Sequence, residues 1–158
     1  MNVWSGGNST LCFVFGSMLL RKRKEERCPH SFYICGARLV GYKYANVVSD
    51  DPKCTASGYA TVLPNKRSVV YGMLLALTPE DEQKLDEKED VEKGDYRKME
   101  CTVITDKGHS VSRVLIYVNK LTRQGPANPD YMENKVIPGA QSHGLPKGYV
   151  QELKNWVK

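Results

Sequence analysis

The first sustained apolar run is Leu11-Cys12-Phe13-Val14-Phe15, closed by Gly16-Ser17. A short continuous run ended by a turn pair predicts a buried strand. Met18-Leu19-Leu20 leads into the charged run Arg21-Lys22-Arg23-Lys24-Glu25-Glu26 and predicts a short helix after the turn. Phe32 to Tyr44 is rich in aromatic and small apolar residues and reads as extended, with a break at Gly41. Residues 47–57 contain Asp50-Asp51-Pro52 and read as a loop. Tyr59–Leu63, bounded by Gly58 and Pro64, predicts a strand. Pro64-Asn65-Lys66 carries turn residues, and Val69–Leu75 predicts a second strand, so these two are expected to pair as a hairpin.

The sharpest helix signal is Thr78-Pro79-Glu80-Asp81. Thr78 suits the cap, Pro79 the first helical position, and the two acids the positive end of the dipole. The helix should run to about Glu89, with Gly94 marking the exit. Arg97–Ile104 and Ser110–Val118 read as strands around the turn Asp106-Lys107-Gly108. Residues 119–130 read as a loop, followed by short helices around Tyr131 and from Lys147 to Trp156. There is no internal repeat. Strand runs outnumber helices, which favours a mixed α/β (α+β) fold, a curled mixed sheet flanked by helices, over an alternating βαβ chain. Residues 10–158 are expected to form a single domain, preceded by a flexible polar N-terminus over residues 1–9.

Composition narrows the function classes. With 41% hydrophobic and 26% charged residues the chain has the makings of a core and does not read as disordered. The formal charge of +5 is modest and both signs are scattered, which argues for a solvated surface and against nucleic-acid binding. No aromatic residue interleaves with the basic run at 21–24, as a base-stacking platform would need. The five cysteines are odd in number and irregular in spacing, so free thiols in a reducing compartment are expected. No CxxC or HxxxH spacing offers a metal site, and neither metal nor cofactor is expected. The apolar stretch from Leu11 to Leu20 is too short to span a bilayer and lacks the flanks of a signal peptide, so a cytoplasmic protein without a membrane partner is expected.

Two places could carry chemistry. Leu85 is the one large apolar residue inside the 79–89 helix and marks its buried face. Glu89 lies four residues on, on the same face, at the negative end of the dipole. A carboxylate so placed should have a raised pKa and suit a general base near neutral pH, whereas a charged helix end is more commonly just solvated. The other place is Phe15-Gly16-Ser17-Met18, where a glycine between strand and helix lets a ligand approach the backbone. The spacing matches neither a P-loop nor a dinucleotide fingerprint, and a plain tight turn is the simpler reading.

Taken together, these segments resemble the γ-glutamylcyclotransferases. Cys12-Phe13-Val14-Phe15-Gly16-Ser17-Met18-Leu19 is similar to the family's Y-F-A-Y-G-S-N-L. Ala37-Arg38-Leu39 with Tyr42-Lys43 resembles A-R-L-x-x-F/Y-K, and Gly58-Tyr59-Ala60-Thr61-Val62 resembles G-x-A-T-I. Leu85-Asp86-Glu87-Lys88-Glu89-Asp90-Val91 with Gly94-Asp95-Tyr96 is similar to L-D-x-x-E-G-V-x-x-G-x-Y. Pro129-Asp130-Tyr131, Gly139-Ala140 and Gly144-Leu145-Pro146 resemble P-x-Y, G-A and G-L-P. The motifs occur in family order over nearly the whole chain after residue 10.

The resemblance implies a small mixed barrel with peripheral helices, with release of 5-oxoproline from γ-glutamyl compounds as the activity. It puts the catalytic acid/base on Glu89. It puts the substrate-cradling loop on Cys12, Phe13, Val14, Phe15, Gly16 and Ser17, with tyrosines at Tyr96 and Tyr131. The implied partner is a small-molecule γ-glutamyl substrate, and self-association as a homodimer stays open. Three positions depart from the pattern: Phe15 for Tyr, Met18 for Asn, and Asp90 for Gly. These leave open a cyclase for γ-glutamylamines or for a γ-glutamyl-protected intermediate, and a non-catalytic binding module of the same fold.

Overall fold

The structure, a computed structural model, describes residues 9–53 and 58–157. The loose terminus expected for residues 1–9 therefore lies outside the described residues, apart from Ser9. Its centre is a closed barrel in the order β1-β3-β2-β4-β5. The strands are β1 (Thr10–Val14), β2 (Phe32–Val47), β3 (Tyr59–Leu77), β4 (Tyr96–Thr105) and β5 (Ser110–Asn119). Neighbours run antiparallel except where β5 returns to β1, Cys12 opposite Leu115, in parallel. That pairing closes the sheet and makes it mixed. Helix α1 (Arg21–Arg27) follows β1 after a single 3-10 turn at Ser17–Leu19, and α2 (Pro79–Lys88) connects β3 to β4.

The expected hairpin between residues 59–63 and 69–75 does not form. Both segments belong to β3, which keeps its direction and pairs with β2 along its length. Tyr42 faces Pro64 and Val40 faces Val69, so the register slips around Gly41 and the four residues 65–68 bow out of the ladder. Proline cannot donate to the ladder, and the Asn65 side chain accepts from the Arg67 amide at 3.0 Å. The turn residues thus make a bulge rather than a reversal. Gly41, at φ 88°, supplies the left-handed residue on the opposing strand. The true hairpin is β2–β3, from Phe32 opposite Ala76 to Val47 opposite Tyr59.

The last helical part is also longer than expected. After α3 (Pro129–Tyr131) the chain widens into a π-helical turn at Met132–Val136 and continues as α4 (Ile137–Ser142), before α5 (Lys147–Lys154) and a 3-10 turn at Asn155–Val157. Gly139 explains the close seat of α4: a Cβ there would come within 2.7 Å of the Leu19 carbonyl carbon. His143, just past α4, lies with Nε2 2.8 Å from the Leu19 carbonyl oxygen. The turn after β1 is therefore held from behind. The core runs from Cys12, Phe13 and Leu19 through Leu74, Leu75 and Ile116 to Met132 and Leu153, all at most 2% exposed. Among the described residues, no helix is long and apolar enough to cross a membrane.

Candidate active site

Helix α2 is fixed at its start as its sequence dictates. The Thr78 hydroxyl accepts from the Asp81 amide at 3.2 Å, and Pro79 occupies the first turn. Asp81 itself is fully buried and its Oδ2 accepts from the His30 amide at 2.8 Å and the Ser31 hydroxyl at 2.7 Å. The Ser31 hydroxyl in turn accepts from the Thr78 amide at 3.2 Å. This polar knot ties the start of α2 to the segment that follows α1.

From Asp81 the inward stripe continues at helical spacing through Leu85, 3% exposed, to Glu89. Glu89 is the capping residue at the far end of α2, its amide bonded to the Leu85 carbonyl at 2.9 Å. The exit is a Schellman turn. The Val91 amide donates to the Asp86 carbonyl at 3.0 Å, the Asp90 amide to the Glu87 carbonyl at 3.2 Å, and Asp90 takes φ 51°. A left-handed residue is what this turn needs, and glycine fills it without a steric cost. That gives a physical reason for the glycine in the motif that Asp90 replaces. The Asp90 side chain is half exposed and lies 3.8 Å from the Lys93 ammonium.

Glu89 opens onto a cleft of about 690 Å³. Its walls include every residue singled out from the sequence: Cys12, Phe13, Val14, Phe15, Gly16 and Ser17 on one side, and Glu89, Tyr96 and Tyr131 around them. Glu87 points to solvent, as expected from its place on α2. Lys88, although exposed, reaches the rim. Burial pushes the Glu89 carboxyl upward from its usual pKa; Arg27 opposes that shift, and Asp90 adds to it.

Gly16 and Tyr131 form the opposite corner. The Ser17 amide donates to the Tyr131 hydroxyl oxygen at 3.2 Å. With its oxygen so engaged, the phenol keeps its own proton for another acceptor. A Cβ on Gly16 would stand 3.0 Å from that oxygen, so glycine is what allows the approach. Tyr96 donates to the Ala60 carbonyl at 3.0 Å, and its ring forms cleft wall rather than pointing a free hydroxyl inward. Phe15 is buried and meets Tyr44 edge-on at 6.3 Å, so its missing hydroxyl leaves an apolar patch at the back. Met18 is also buried, and its carbonyl accepts from the Tyr33 hydroxyl.

Some cleft residues were not anticipated. Arg27 Nη1 lies 3.3 Å from Glu89 Oε1, with both side chains about one-fifth exposed (23% and 20%). Arg27 ends α1, one residue beyond the charged run at 21–26, and no sequence motif assigns it a role. The signal that could have found it is spacing: Leu20, Lys24, Arg27 and Cys28 share one face of α1, and Lys24 and Cys28 are buried. Tyr117 and Asn119 from the end of β5 also line the cleft. Tyr117 donates to Asp86 Oδ1 at 2.6 Å, and Lys98 bridges Glu82 and, at 3.1 Å, Asp86. The outer face of α2 is thereby pinned to β4 and β5.

Cys12, Cys28, Cys35 and Cys101 are free thiols, Cys12 and Cys28 being buried; Cys54 lies outside the described residues. No cluster of His, Cys, Asp or Glu suited to a metal occurs among the described residues.

Comparison with known proteins gives one consistent answer. The AIG2-like family matches residues 69–153, more than half of the chain. Human γ-glutamylcyclotransferase is 30% identical over 148 residues, covering 92% of this chain and 78% of that protein. The mouse γ-glutamylcyclotransferase is 29% identical over 150 residues, covering 94% and 79%. A solved γ-glutamyl cyclotransferase structure superposes with a TM-score of 0.84 at 29% identity, over 93% of this chain and 87% of that one. The barrel with its peripheral helices is shared with that structure, and the chain belongs to the AIG2-like, γ-glutamylcyclotransferase family of enzymes.

Proposed function

We propose that this enzyme releases 5-oxoproline from γ-glutamyl amino acids or peptides, with Glu89 as general acid/base. The observation that carries the reading is the position of Glu89. It is a mostly buried carboxylate, anchored by a capped helix and a Schellman turn, that opens onto a cleft shared with Gly16, Ser17 and Tyr131. A γ-glutamyl group carries its own nucleophile, the α-amine. The protein has to fold that amine onto the γ-carbonyl. Positioning of this kind can remove on the order of 7 kcal/mol or more of the barrier.

Glu89 takes the proton from the α-ammonium, and the freed amine attacks the γ-carbonyl carbon. A five-membered ring closes, and Glu89 returns its proton to the departing nitrogen as the bond from the carbonyl carbon to that nitrogen breaks. The second proton left on the ring nitrogen passes through Glu89 to the released amine, which departs as an ammonium. The burial that raises the Glu89 pKa brings it closer to what the ammonium requires. The Gly16–Ser17 corner is assigned to the glutamyl carboxylate and the Tyr131 hydroxyl to the substrate beside it. Tyr96 and the Cys12–Phe15 strand end shape the floor. The chemistry needs no covalent enzyme intermediate.

The test is a panel of γ-glutamyl amino acids, γ-glutamyl peptides and γ-glutamylamines, assayed by mass spectrometry for 5-oxoproline. The reading expects stoichiometric 5-oxoproline and free amine from at least one of the first two classes. Release from γ-glutamylamines alone would replace it with the amine-directed reading. No release from any class would favour a binding module.

A further inference from the structure

The cleft holds three cations among the described residues: Arg27, Lys88 and Lys120. Lys120 is engaged with Asp95 at 3.1 Å, and its side chain is 56% exposed. Lys88 is exposed at the rim. Arg27 is different. It is mostly buried, it comes from the wall formed by α1, and its contact with Glu89 is single-pronged and long at 3.3 Å. A guanidinium has five donors in a fork that matches a carboxylate in two places, and a well-formed pair of that kind is shorter, at about 2.7–2.9 Å. Nη1 to Glu89 Oε1 is the one such contact Arg27 makes among the described residues, so the other donors of the fork have no carboxylate partner among them, on a side chain that lines the cleft.

Resting on the reaction proposed above, chemistry fixes what comes near this fork. Glu89 must reach both the attacking amine and the leaving amine. When the leaving group is an α-amino acid, its carboxylate sits one carbon from the leaving nitrogen. A cation in contact with Glu89 is therefore within reach of that carboxylate. The cleft already carries Glu89, Asp90 and Asp95, so a further anion needs a cation of its own. We infer that Arg27 is the specificity-determining residue for the leaving group, and that it binds the carboxylate of a departing α-amino acid. Docking of that carboxylate draws the fork from Glu89. The base loses its counter-charge just as substrate arrives, which makes it a stronger base when it is needed.

The experiment compares γ-glutamyl-L-alanine with γ-glutamylethylamide, which is the same molecule lacking only the leaving-group carboxylate. Values of kcat/KM are measured for wild type, Arg27→Gln and Arg27→Lys. Thermal unfolding of each variant checks that it is folded. Wild type should favour the alanine compound by about 10- to 100-fold, the range expected for a charge-assisted contact. Arg27→Gln should bring the ratio close to one, chiefly through KM for the alanine compound, and Arg27→Lys should keep part of it. An equal loss on both substrates would overturn the inference, because Arg27 would then serve Glu89 or the glutamyl half alone. A wild-type ratio near one would also overturn it while leaving the cyclisation intact. If wild type releases 5-oxoproline from neither compound, the inference falls together with the reaction it rests on.

Discussion

Replacing Asp90 by glycine should stabilise the protein, and the size of the gain follows from the Schellman turn. Asp90 is held at φ 51°, in the left-handed region. For an L-residue that conformation costs roughly 1–2 kcal/mol, and an aspartate sits toward the low end because its side chain bonds locally. Glycine removes the cost but loses about 0.4–1 kcal/mol through the freer unfolded chain. A negative charge at a helix C-terminus is unfavourable by about 0.3–1 kcal/mol, and glycine removes that too. The Lys93 contact is 3.8 Å long and exposed, and its loss should cost close to nothing. The sum is a gain of about 1 kcal/mol, a rise in Tm of roughly 2–4 °C for a chain of this size.

Two companions separate the causes. Asp90→Asn removes the charge and tolerates the turn, so it should gain only the dipole part. Asp90→Ala removes the charge but raises the steric cost, because alanine lacks the local side-chain bond that eases aspartate into the left-handed region, so the two effects should about cancel. The same set reads the active site. The Asp90 charge adds to the upward shift of Glu89, so its removal lowers the Glu89 pKa. The acidic limb of the pH–kcat/KM profile should then move to lower pH in Asp90→Gly and Asp90→Asn alike. Urea unfolding and pH–rate profiles on one γ-glutamyl amino acid supply both readouts. If Asp90→Ala raises Tm as much as Asp90→Gly does, the strain argument is wrong. If the acidic limbs superimpose, Asp90 does not act on Glu89.

Gly16→Ala puts a methyl 3.0 Å from the Tyr131 hydroxyl and should disrupt its bond with the Ser17 amide. We expect kcat/KM to fall about tenfold with a stability loss of about 1 kcal/mol, read by kinetics and urea unfolding on the same sample. A stability loss above about 3 kcal/mol with normal kinetics would make Gly16 a plain turn residue. Tyr131→Phe keeps the ring but removes the hydroxyl that accepts from the Ser17 amide, so kcat/KM should drop by about 10- to 100-fold with a stability loss of about 1 kcal/mol, as for Gly16→Ala; unchanged kinetics would remove Tyr131 from the site. Alkylation of the denatured, unreduced protein should modify all five cysteines by mass. In the native state Cys12 and Cys28 should lag behind Cys35 and Cys101, because they are buried and burial pushes the Cys28 thiol up to about 12. Equal native rates for the four would contradict the packing.

How much of this was legible in the sequence depended on whether the signal was local. The start of α2 could be read from Thr78 to Asp81 because a cap and a first-turn proline act within four residues. The link from Leu85 to Glu89 could be read because helix spacing is fixed. The turn residues Pro64-Asn65-Lys66 were misread for the opposite reason. Whether such residues reverse a strand or bow it outward is decided by the partner strand, here by Gly41 on β2. Closure of the barrel by Cys12 opposite Leu115 joins segments about a hundred residues apart, and no local pattern marks it. The same holds for Arg27. It follows the charged run at 21–26 and reads as one more of the scattered surface charges, and only the packing of α1 beside α2 turns it toward Glu89. Tyr117 and Asn119 lie at the end of a strand whose apolar pattern announces core. Their place in the cleft follows from where β5 stops, not from residue type.

The claim that most needs testing is that Glu89 moves the protons of ring closure. The direct measurement is 5-oxoproline release from one γ-glutamyl amino acid by wild type, Glu89→Gln and Glu87→Gln, with affinity for 5-oxoproline measured by calorimetry on each. Glutamine keeps the shape and a polar group beside Arg27, so Glu89→Gln should fold and retain ligand affinity within a few-fold. Its kcat should fall by about 10²–10⁴, the usual worth of a positioned general acid/base. Glu87→Gln, on the exposed side of α2, should match wild type. A Glu89→Gln protein that binds 5-oxoproline and turns over at the wild-type rate would contradict the account.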